Sequence, residues 1–398
     1  MTDTSRDPVV IAAARRTPIG GFQGDFASLP APALGGAAIA AALAEARTPA
    51  GEVDEVLMGC VLTAGQGQAP ARQAAFAAGL PEHVPSTTVN KMCGSGMKTV
   101  MQAFDALHVR PSDVIVAGGM ESMSNAPYLL DRARQGYRLG HGRALDHMFL
   151  DGIEDAYDKG RLMGTYAEDT AAAYQFTRED QDRFALTSLD RAGKASADGS
   201  FAAEIARCTV TSRGASYEVT IDEGPATARP EKIPQLRPAF RADGTVTAAN
   251  SSSISDGAAA IVLMPRSEAE RRGLRPLAVI AGHAGFADAP PKFTIAPVGA
   301  VRTLQERLRW TADDVDLYEI NEAFAVVTMA AMRDLGLPHD KVNVHGGACA
   351  LGHPIGCSGT RIIVTLLAAL EKYRLRRGIA ALCIGGGEAT ALAVERLD

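Results

Sequence analysis

The sequence predicts an α/β fold, and two features of the chain support that prediction. Short runs of β-branched and apolar residues bounded by glycine recur along it, and stretches of helical length rich in alanine and leucine lie between them. This alternation is typical of α/β folds with buried parallel strands. With 398 residues, 46% of them hydrophobic, the chain can form a large core and two or three domains.

The individual elements follow from these patterns. The predicted strands are 9–14, 56–60, 114–118, 278–282, 317–320 and 380–384. The predicted helices are 32–46, 69–79, 298–309 and 322–336, together with a helix over 97–107 in which apolar residues recur at helical spacing. A capping-box pattern at Thr177-Arg-Glu-Asp predicts a helix start inside the region 123–247. That region otherwise breaks the alternation with charged and polar stretches, and it is predicted to be an inserted lobe.

A weak internal repeat relates the two ends of the chain. Cys93-Gly-Ser-Gly, a helical run and the strand-like 114–120 are echoed by Cys357-Ser-Gly, a helical run and 381–387. Two similar halves that face each other would bring both glycine-rich turns to one site.

Cys93 is the candidate nucleophile, because a cysteine at a tight strand-to-helix turn lies where helix N–H groups favour negative charge. A free thiol with a pKa of ~8.5 is only about 3% ionised at pH 7. Half-ionisation at that pH requires its pKa to fall by ~1.5 units, which corresponds to about 2 kcal/mol of stabilisation of the thiolate. A helix N-terminus supplies roughly 0.3–1 kcal/mol. An imidazole is therefore expected to assist, and His353 and Cys383 are the distant candidates for acid and base.

Composition and spacing argue against several other classes of protein. With 46 acidic and 40 basic residues the chain offers no global charge for nucleic acid, and the polar N-terminus followed by a short apolar run resembles neither a signal peptide nor a membrane span. A cytoplasmic protein with six free thiols is expected. No G-x-G-x-x-G follows a predicted strand, which argues against a nicotinamide enzyme.

Structural roles compete with the catalytic ones. Cysteines are often buried as small hydrophobic residues. His353 could have no role other than hydrogen bonding within a turn, and Asn321 could have no role other than capping a helix. A spacing of four residues relates His345, Cys349, His353 and Cys357 and would suggest zinc on one helical face. Glycines and Pro354 within that segment argue against a continuous helix there, and no metal site is predicted.

Many motifs in this order resemble the thiolase family over nearly the whole chain. They are Arg16-Thr-Pro-Ile-Gly-Gly-Phe, Val89-Asn-Lys-Met-Cys-Gly-Ser-Gly-Met-Lys, Gly118-Gly-Met-Glu-Ser-Met-Ser, Met163-Gly, Gly244-Thr-Val-Thr-Ala, Asp256-Gly-Ala-Ala-Ala, Asn321-Glu-Ala-Phe, Val342-Asn-Val-His-Gly-Gly-Ala, Leu351-Gly-His-Pro-Ile-Gly and Cys383-Ile-Gly-Gly-Gly. The resemblance implies a thiolase fold of two βαβαβαββ halves with an inserted loop domain. The implied boundaries are 1–122 with 248–273 for the N-terminal half, 123–247 for the loop domain and 274–398 for the C-terminal half.

The resemblance also implies a reversible Claisen reaction with coenzyme A as co-substrate and no permanently bound cofactor. Cys93 would carry the acyl group, His353 would take its proton, and Cys383 would act as the second acid/base. The N–H groups of Cys93 and Gly385 would hold one oxyanion, and His353 with a water held by Asn321 would hold the other. Residues implied to line the pantetheine channel and acyl pocket are Met163, Ala248, Ser252, Ala323 and Phe324. A homodimer or homotetramer, with no nucleic-acid or membrane partner, is implied as well.

The chain departs from the family pattern at several positions. Glu388-Ala follows the triple glycine where many members have Met-Gly, and Leu162 stands where short-chain biosynthetic members often have histidine. Tyr166 replaces a small residue, Ser251-Ser-Ser-Ile-Ser replaces Ala-Ser-Gly-x-Asn, and Ala226 replaces an arginine. These departures leave the acyl chain length and the CoA phosphate contacts open.

An acetyl-CoA C-acetyltransferase acting on acetoacetyl-CoA is therefore the predicted function. Three alternatives stay open: a broad-range 3-ketoacyl-CoA thiolase of fatty-acid β-oxidation, a decarboxylating ketoacyl-synthase-like condensing enzyme, and a non-catalytic CoA-binding scaffold. The second catalytic cysteine argues against the synthase, since decarboxylation forms the carbanion without a base. The complete set of Cys93, His353 and Cys383 argues against the scaffold.

Overall fold

The computed structural model of the chain describes residues 7–212 and 214–397. Its strands, numbered in chain order, are β1 Val9–Arg16, β2 Gly20–Gly21, β3 Glu55–Gly59, β4 Ser86–Val89, β5 Ile115–Ser122, β6 Tyr128–Leu129, β7 Leu145–Asp146, β8 Cys208–Ser212, β9 Ala215–Val219, β10 Ser255–Pro265, β11 Ala278–Ala287, β12 Leu317–Ile320, β13 Arg377–Ile384 and β14 Glu388–Arg396. The α-helices are α1 Ala31–Glu45, α2 Pro70–Ala77, α3 Ser95–Leu107, α4 Met163–Tyr174, α5 Arg178–Ala197, α6 Glu223–Thr227, α7 Arg266–Arg271, α8 Ala296–Leu308, α9 Ala325–Leu335, α10 Ala348–Leu351 and α11 Ser358–Lys372. Each strand and helix predicted from the sequence is present, within a few residues of its predicted bounds.

The main sheet has two halves with the same strand order. The first half runs β4-β3-β5-β10-β1, and the second runs β12-β13-β14-β11, with Val342 bridged to Tyr318 at the place that corresponds to β4. The halves meet where β1 pairs with β11. Because the directions of the paired strands also match, the weak repeat in the sequence corresponds to a repeat in the structure.

The prediction of parallel strands holds only for the outer part of each half. β3 is parallel to β4 and β5, and β12 is parallel to β13. The central strands β1, β10, β11 and β14 pair antiparallel with their neighbours. The prediction of parallel neighbours was wrong for β1 and β11, because they pair with β10 and β14, two strands that were not predicted. β14 follows β13 directly through three glycines and β10 follows the lobe, so neither is reached through a crossover helix.

Helices α3 and α11 lie between the two halves and form the centre of the core. Their apolar side chains pack against each other and against strands of both halves in one buried cluster, which includes Met97, Val100, Ile363, Leu366, Leu263 and Leu382. Helices α1 and α2 pack on the outer side of the first half and α8 on that of the second. Since α3 begins after Cys93 and α11 begins after Cys357, this packing places both glycine-rich turns at one end of the core.

The lobe predicted between the strands of the first half contains α4, α5, α6 and the small hairpins. Its helix α5 begins with the predicted capping box, in which the Thr177 side chain accepts from the Asp180 N–H and the Asp180 carboxylate accepts from the Thr177 N–H. A fully buried ion pair ties the lobe to the first strand: Arg16 donates to Asp222 at 2.7 and 2.9 Å and to Glu204 at 2.5 Å. The lobe is therefore anchored to the main sheet by charge as well as by packing.

Candidate active site

A cavity of ≈ 460 Å³ lies between three parts of the chain: the lobe, the carboxyl-terminal end of β13 and the turn that carries Cys93. The structure brings nearly all the predicted site residues to its wall. They are Cys93, His353, Cys383, Gly385, Met163, Ala248, Ser252, Ala323 and Phe324. Residues separated by up to nearly 300 positions in the sequence therefore face one cavity, as expected of a ligand site.

The turn that carries Cys93 is held by its own backbone and by one serine. Met92 adopts a φ of 47°, which is costly for a side chain other than glycine. The Ser95 hydroxyl accepts from the Lys91 N–H at 2.8 Å and donates to the Met92 carbonyl at 2.6 Å, while Gly94 N–H donates to the Lys91 carbonyl at 3.0 Å. These bonds stabilise the strained turn and present Cys93 just before the first turn of α3.

Two backbone N–H groups, those of Gly385 and of Cys93 itself, act to lower the pKa of the Cys93 thiol. They favour the thiolate, but burial outweighs them and raises the pKa of the Cys93 thiol to about 11. The sequence led us to expect a thiol with a lowered pKa. The resting thiol is instead neutral, because the loss of water around the sulfur on the cavity wall outweighs the two N–H groups and the helix N-terminus.

We expect the rate of Cys93 alkylation by iodoacetamide to rise steadily with pH between 6 and 9. Below its pKa of about 11 the thiolate fraction increases about tenfold per pH unit, and the thiolate is the reacting species. The measurement is the pseudo-first-order rate of Cys93 labelling by mass spectrometry of the digested protein. A plateau near pH 7 would show that the thiol is already ionised and would contradict this account.

His353 follows Gly352, whose φ of 104° and whose closeness to Ser255 leave no room for a side chain. The His353 Nδ1 lies 2.5 Å from the Ser358 Oγ, and that hydroxyl lies 3.0 Å from the Pro354 carbonyl. Because the carbonyl can only accept, the hydroxyl donates to it and accepts from Nδ1–H. This assignment leaves the lone pair of Nε2 as the free acceptor, and among the described residues Nε2 has no hydrogen-bond partner.

The His353 ring is neutral at ordinary pH. Burial, with a smaller contribution from the nearby Arg361 guanidinium, lowers its pKa to about 3. A neutral imidazole whose Nε2 is unprotonated can take a proton from the thiol at the moment of attack. The pair Cys93 and His353 therefore has the protonation states of a nucleophile and its general base.

Asn321 is buried behind His353 and does not belong to the cavity wall formed by the described residues. Its Nδ2 lies 3.5 Å from the His353 Nδ1, and its Oδ1 accepts weakly from Arg361 at 3.4 Å. Arg361 in turn pairs with Glu319 at 3.5 Å, also fully buried. The Asn321 amide therefore packs on the Nδ1 side of the imidazole without a hydrogen bond to it, since both nitrogens carry hydrogens. Its predicted role, to hold a water at the second oxyanion, stays a prediction.

Cys383 occupies the end of β13, where it is 1% exposed and packs in one cluster with Phe293 and Phe324. Burial raises the pKa of this thiol well above its ordinary value, and the charge of a neighbouring Cys93 thiolate raises it further. The two sulfurs therefore disfavour simultaneous ionisation. A weakly acidic thiol beside the nucleophile is suited to donate a proton to a carbanion and, once ionised, to remove one from carbon.

Glu121 is a fully buried residue next to the loop that carries His353, and the sequence predicted no role for it. Its carboxylate accepts from the N–H groups of Val61, Leu62 and Gly356 at 3.0, 3.1 and 2.9 Å. Burial raises its pKa to about 7 against these hydrogen bonds. Glu121 thus ties β5 to the His353 loop, and the available signal was an acidic residue inside an otherwise apolar strand.

The predicted CoA-binding residues come from three segments that touch each other. Met163 begins α4 next to Gly385, and Ser252 donates through both its N–H and its Oγ to the Ala323 carbonyl at 3.0 Å. The Phe324 ring packs edge-on against Phe240 with centroids 5.9 Å apart. The cavity is therefore lined mainly by apolar groups in this region, and backbone contacts hold the Ser252 and Ala323 segments together.

Three of the residues that depart from the family pattern lie in or next to the cavity. Tyr166 is buried and packs edge-on against Phe293, whose ring also lies 6.5 Å from Phe324. Leu162 and Ser251 lie on the cavity wall. The aromatic side chains fill the space beside Cys383 and narrow the cavity there.

The segment that suggested zinc is not one helix. α10 ends at Leu351, and Gly352 turns the chain away before α11 begins. Among the described residues, no group of three or more histidine, cysteine or acidic side chains is arranged to hold a metal ion. No helix in the described ranges combines the length and the apolar character needed to cross a membrane.

Comparison with known proteins adds independent information about the chain. The family model for the thiolase N-terminal domain matches residues 9–267, and the model for the thiolase C-terminal domain matches residues 274–396. An acetyl-CoA acetyltransferase of Chromobacterium violaceum is 47% identical over 98% of this chain and 99% of its own length. A probable acetyl-CoA acyltransferase of Staphylococcus aureus is 46% identical over the same shares.

Solved structures resemble the chain over its full fold. The crystal structure of the Bacillus anthracis acetyl-CoA acetyltransferase superposes with a TM-score of 0.95 at 41% identity, covering 98% of this chain and 99% of that one. A thiolase from Ascaris suum, solved in complex with coenzyme A, superposes with a TM-score of 0.92 at 39% identity and covers 98% and 100% of the two chains.

Proposed function

The chain belongs to the thiolase family, and from that premise we propose that it is an acetyl-CoA C-acetyltransferase that forms or cleaves acetoacetyl-CoA. The observation that carries the proposal is the meeting of Cys93, His353 and Cys383 on the wall of one cavity. The family assignment supports this reaction over a decarboxylating condensing enzyme and over a scaffold. A CoA-bound relative of the same fold supports coenzyme A as the co-substrate.

In the cleavage direction, the Cys93 sulfur attacks the 3-keto carbon of the substrate while its proton passes to the His353 Nε2. The negative charge that develops on the keto oxygen needs donors fixed in advance. The N–H groups of Gly385 and Cys93, which favour the thiolate, are the candidates for that role. The bond between C2 and C3 then breaks, and the electron pair remains on the acetyl-CoA enolate.

The enolate takes a proton from the Cys383 thiol and leaves as acetyl-CoA, and the Cys93 sulfur remains acylated as a thioester. In the second half-reaction the thiol of a new coenzyme A gives its proton to the Cys383 thiolate and attacks this thioester. The acyl group passes to coenzyme A, and the departing Cys93 sulfur takes back the proton held by His353. This second half-reaction exchanges one thioester for another and is therefore readily reversible. In the condensation direction the Cys383 thiolate removes the α-proton of acetyl-CoA.

The aromatic side chains beside Cys383 support a short acyl group. Phe293 and Phe324 line the cavity and are packed in the same buried cluster as Cys383 and Tyr166. Extra methylene groups on the substrate would have to displace these rings. A well-packed pocket discriminates by roughly 10–200-fold per methylene-sized difference, so the effect is large enough to measure.

We therefore expect the kcat/KM of thiolysis to be highest for acetoacetyl-CoA and to fall at least about tenfold for the next longer 3-ketoacyl-CoA. The measurement is thiolysis by coenzyme A across substrates from four to sixteen carbons. The matched variant Phe293→Ala should lessen the fall, because it removes the ring that narrows the cavity. Rates that hold or rise with length would instead identify a broad-range thiolase of β-oxidation.

The proposal also covers the cellular location, the oligomeric state and the domain boundaries of the protein. We place the enzyme in the cytoplasm and in fatty-acid metabolism, and we propose a homodimer or homotetramer. β4 lies at one end of the main sheet with half-exposed residues, so its outer edge is available to pair with a second copy. We propose the domain boundaries given above, with the lobe at 123–247 covering the CoA channel.

A further inference from the structure

The turn that carries Cys93 and the glycine turn after Cys383 are joined by a side-chain ion pair. The Lys91 ammonium contacts the Glu388 carboxylate, with the two side chains 29% and 38% exposed. Lys91 precedes Cys93 by two residues, and Glu388 follows Gly385 by three. We infer that this ion pair is a positioning contact, which holds the Gly385 N–H against the Cys93 sulfur and so sets the geometry of the first oxyanion site.

The two turns touch each other directly at their centres. A side chain at Gly94 would come within 2.3 Å of the Ile384 side chain, so the Cys93 turn rests on the end of β13. Ile384 is paired with Glu388 across the β13–β14 hairpin. The Lys91–Glu388 ion pair therefore adds a second contact between the Cys93 turn and the hairpin. Ile384, which makes the first contact, precedes Gly385 in the chain, and Glu388 follows it.

The backbone holds the hairpin on one side, where the Asp288 N–H donates to the Gly387 carbonyl at 2.8 Å, but its glycines offer no side chain to the Cys93 turn on the other. Gly385, Gly386 and Gly387 carry no side chains, and the last two have φ values of 95° and 90°. An oxyanion donor acts only if it lies about 2.7–3.1 Å from the developing charge. A small rotation of the hairpin would move the Gly385 N–H out of that range. Glu388 is the first residue after the glycines with a side chain, and that side chain joins the hairpin to the turn that carries Cys93.

The described residues that line the cavity include neither Lys91 nor Glu388. Their effect on the reaction is therefore indirect, through the turns that they join. The inference rests on the proposed role of Cys93 in acyl transfer.

The test compares Glu388→Gln with a matched control, Glu395→Gln. Glu395 lies on the same strand and pairs with Arg376 at 2.8 Å, away from the cavity. Two quantities are measured: kcat and KM for thiolysis of acetoacetyl-CoA, and the rate of Cys93 alkylation by iodoacetamide at a fixed pH. We expect Glu388→Gln to lower kcat and the alkylation rate by roughly two- to fivefold, as for loss of a part-exposed ion pair, with KM and Tm unchanged. The control should change neither rate.

A charge-reversed double variant, Lys91→Glu with Glu388→Lys, separates positioning from a direct effect of the lysine charge. If the ion pair positions the turns, the reversed pair recovers much of both rates, whereas Lys91→Glu alone does not. Wild-type rates in Glu388→Gln, or a reversed pair no better than the single variants, would overturn the inference. A wild-type protein that cleaves no 3-ketoacyl-CoA would instead refute the proposed function, and the alkylation rates would still decide whether the contact positions Gly385.

Discussion

Cys93→Ala is expected to abolish the acyl-enzyme and to lower kcat for thiolysis by at least about 10⁴-fold. The variant removes the only atom that forms the covalent intermediate in the proposed reaction, and no other cysteine can replace it in position. Cys383 lines the same cavity, but its thiol is almost completely buried and its pKa is raised well above the ordinary value. The measurement is the intact mass of the protein after incubation with acetyl-CoA, together with steady-state thiolysis.

Cys208→Ala is the control for this variant. Cys208 is a buried cysteine of β8 in the lobe, away from the cavity, so its loss removes a sulfur without touching the reaction. We expect it to retain the acetyl adduct and the wild-type kcat. An acetyl adduct on Cys93→Ala, or thiolysis within tenfold of wild type, would move the nucleophile to another residue.

The sequence predicted the fold well where the pattern is local or repeated, and most of the residues that it singled out lie on the wall of one cavity. Cys93 was recognised because glycine and serine after it fit only a tight turn before a helix. The repeat of that pattern at Cys357 indicated that a second half faces the first, and this is how α3 and α11 meet in the structure. Local spacing and a repeat were enough because each half folds around the same alternation of strand and helix.

The electrostatics of the site could not be predicted in the same way. The pKa of Cys93 depends on how much water the folded protein removes from the sulfur, and burial reverses the direction expected from the helix alone. The tautomer of His353 depends on the Ser358 hydroxyl, which is oriented by a carbonyl one turn earlier. Glu121 has its effect through three N–H groups from two distant segments. Each of these contacts joins residues whose proximity appears only after folding.

The antiparallel centre of the sheet was missed for a related reason. A buried strand is apolar on both faces whether its neighbours run parallel or antiparallel, so composition does not distinguish them. The direction is set by the connection that precedes each strand. The three glycines after Cys383 were interpreted as part of the reactive site. They also form the hairpin turn between β13 and β14, and this turn makes β14 antiparallel to β13.

Cys383→Ala should separate the two halves of the proposed reaction. The variant keeps Cys93, His353 and the Gly385 N–H, so acetyl transfer from acetyl-CoA to Cys93 should proceed at a rate within a few fold of wild type. Formation and cleavage of the carbon–carbon bond should fall by about 10²–10⁴-fold, the usual contribution of a positioned acid or base. The measurements are exchange of labelled coenzyme A into acetyl-CoA for the first step and thiolysis of acetoacetyl-CoA for the second.

Cys349→Ala provides the comparison, because its sulfur donates to the Glu322 carbonyl and does not line the cavity among the described residues. It should leave exchange and thiolysis unchanged. Loss of both activities in Cys383→Ala would show that the residue supports the fold of the site, and normal thiolysis would remove it from the mechanism. A loss confined to the carbon–carbon step is expected because the raised pKa of the buried Cys383 thiol makes its thiolate a stronger base, and only that step moves a proton to or from carbon.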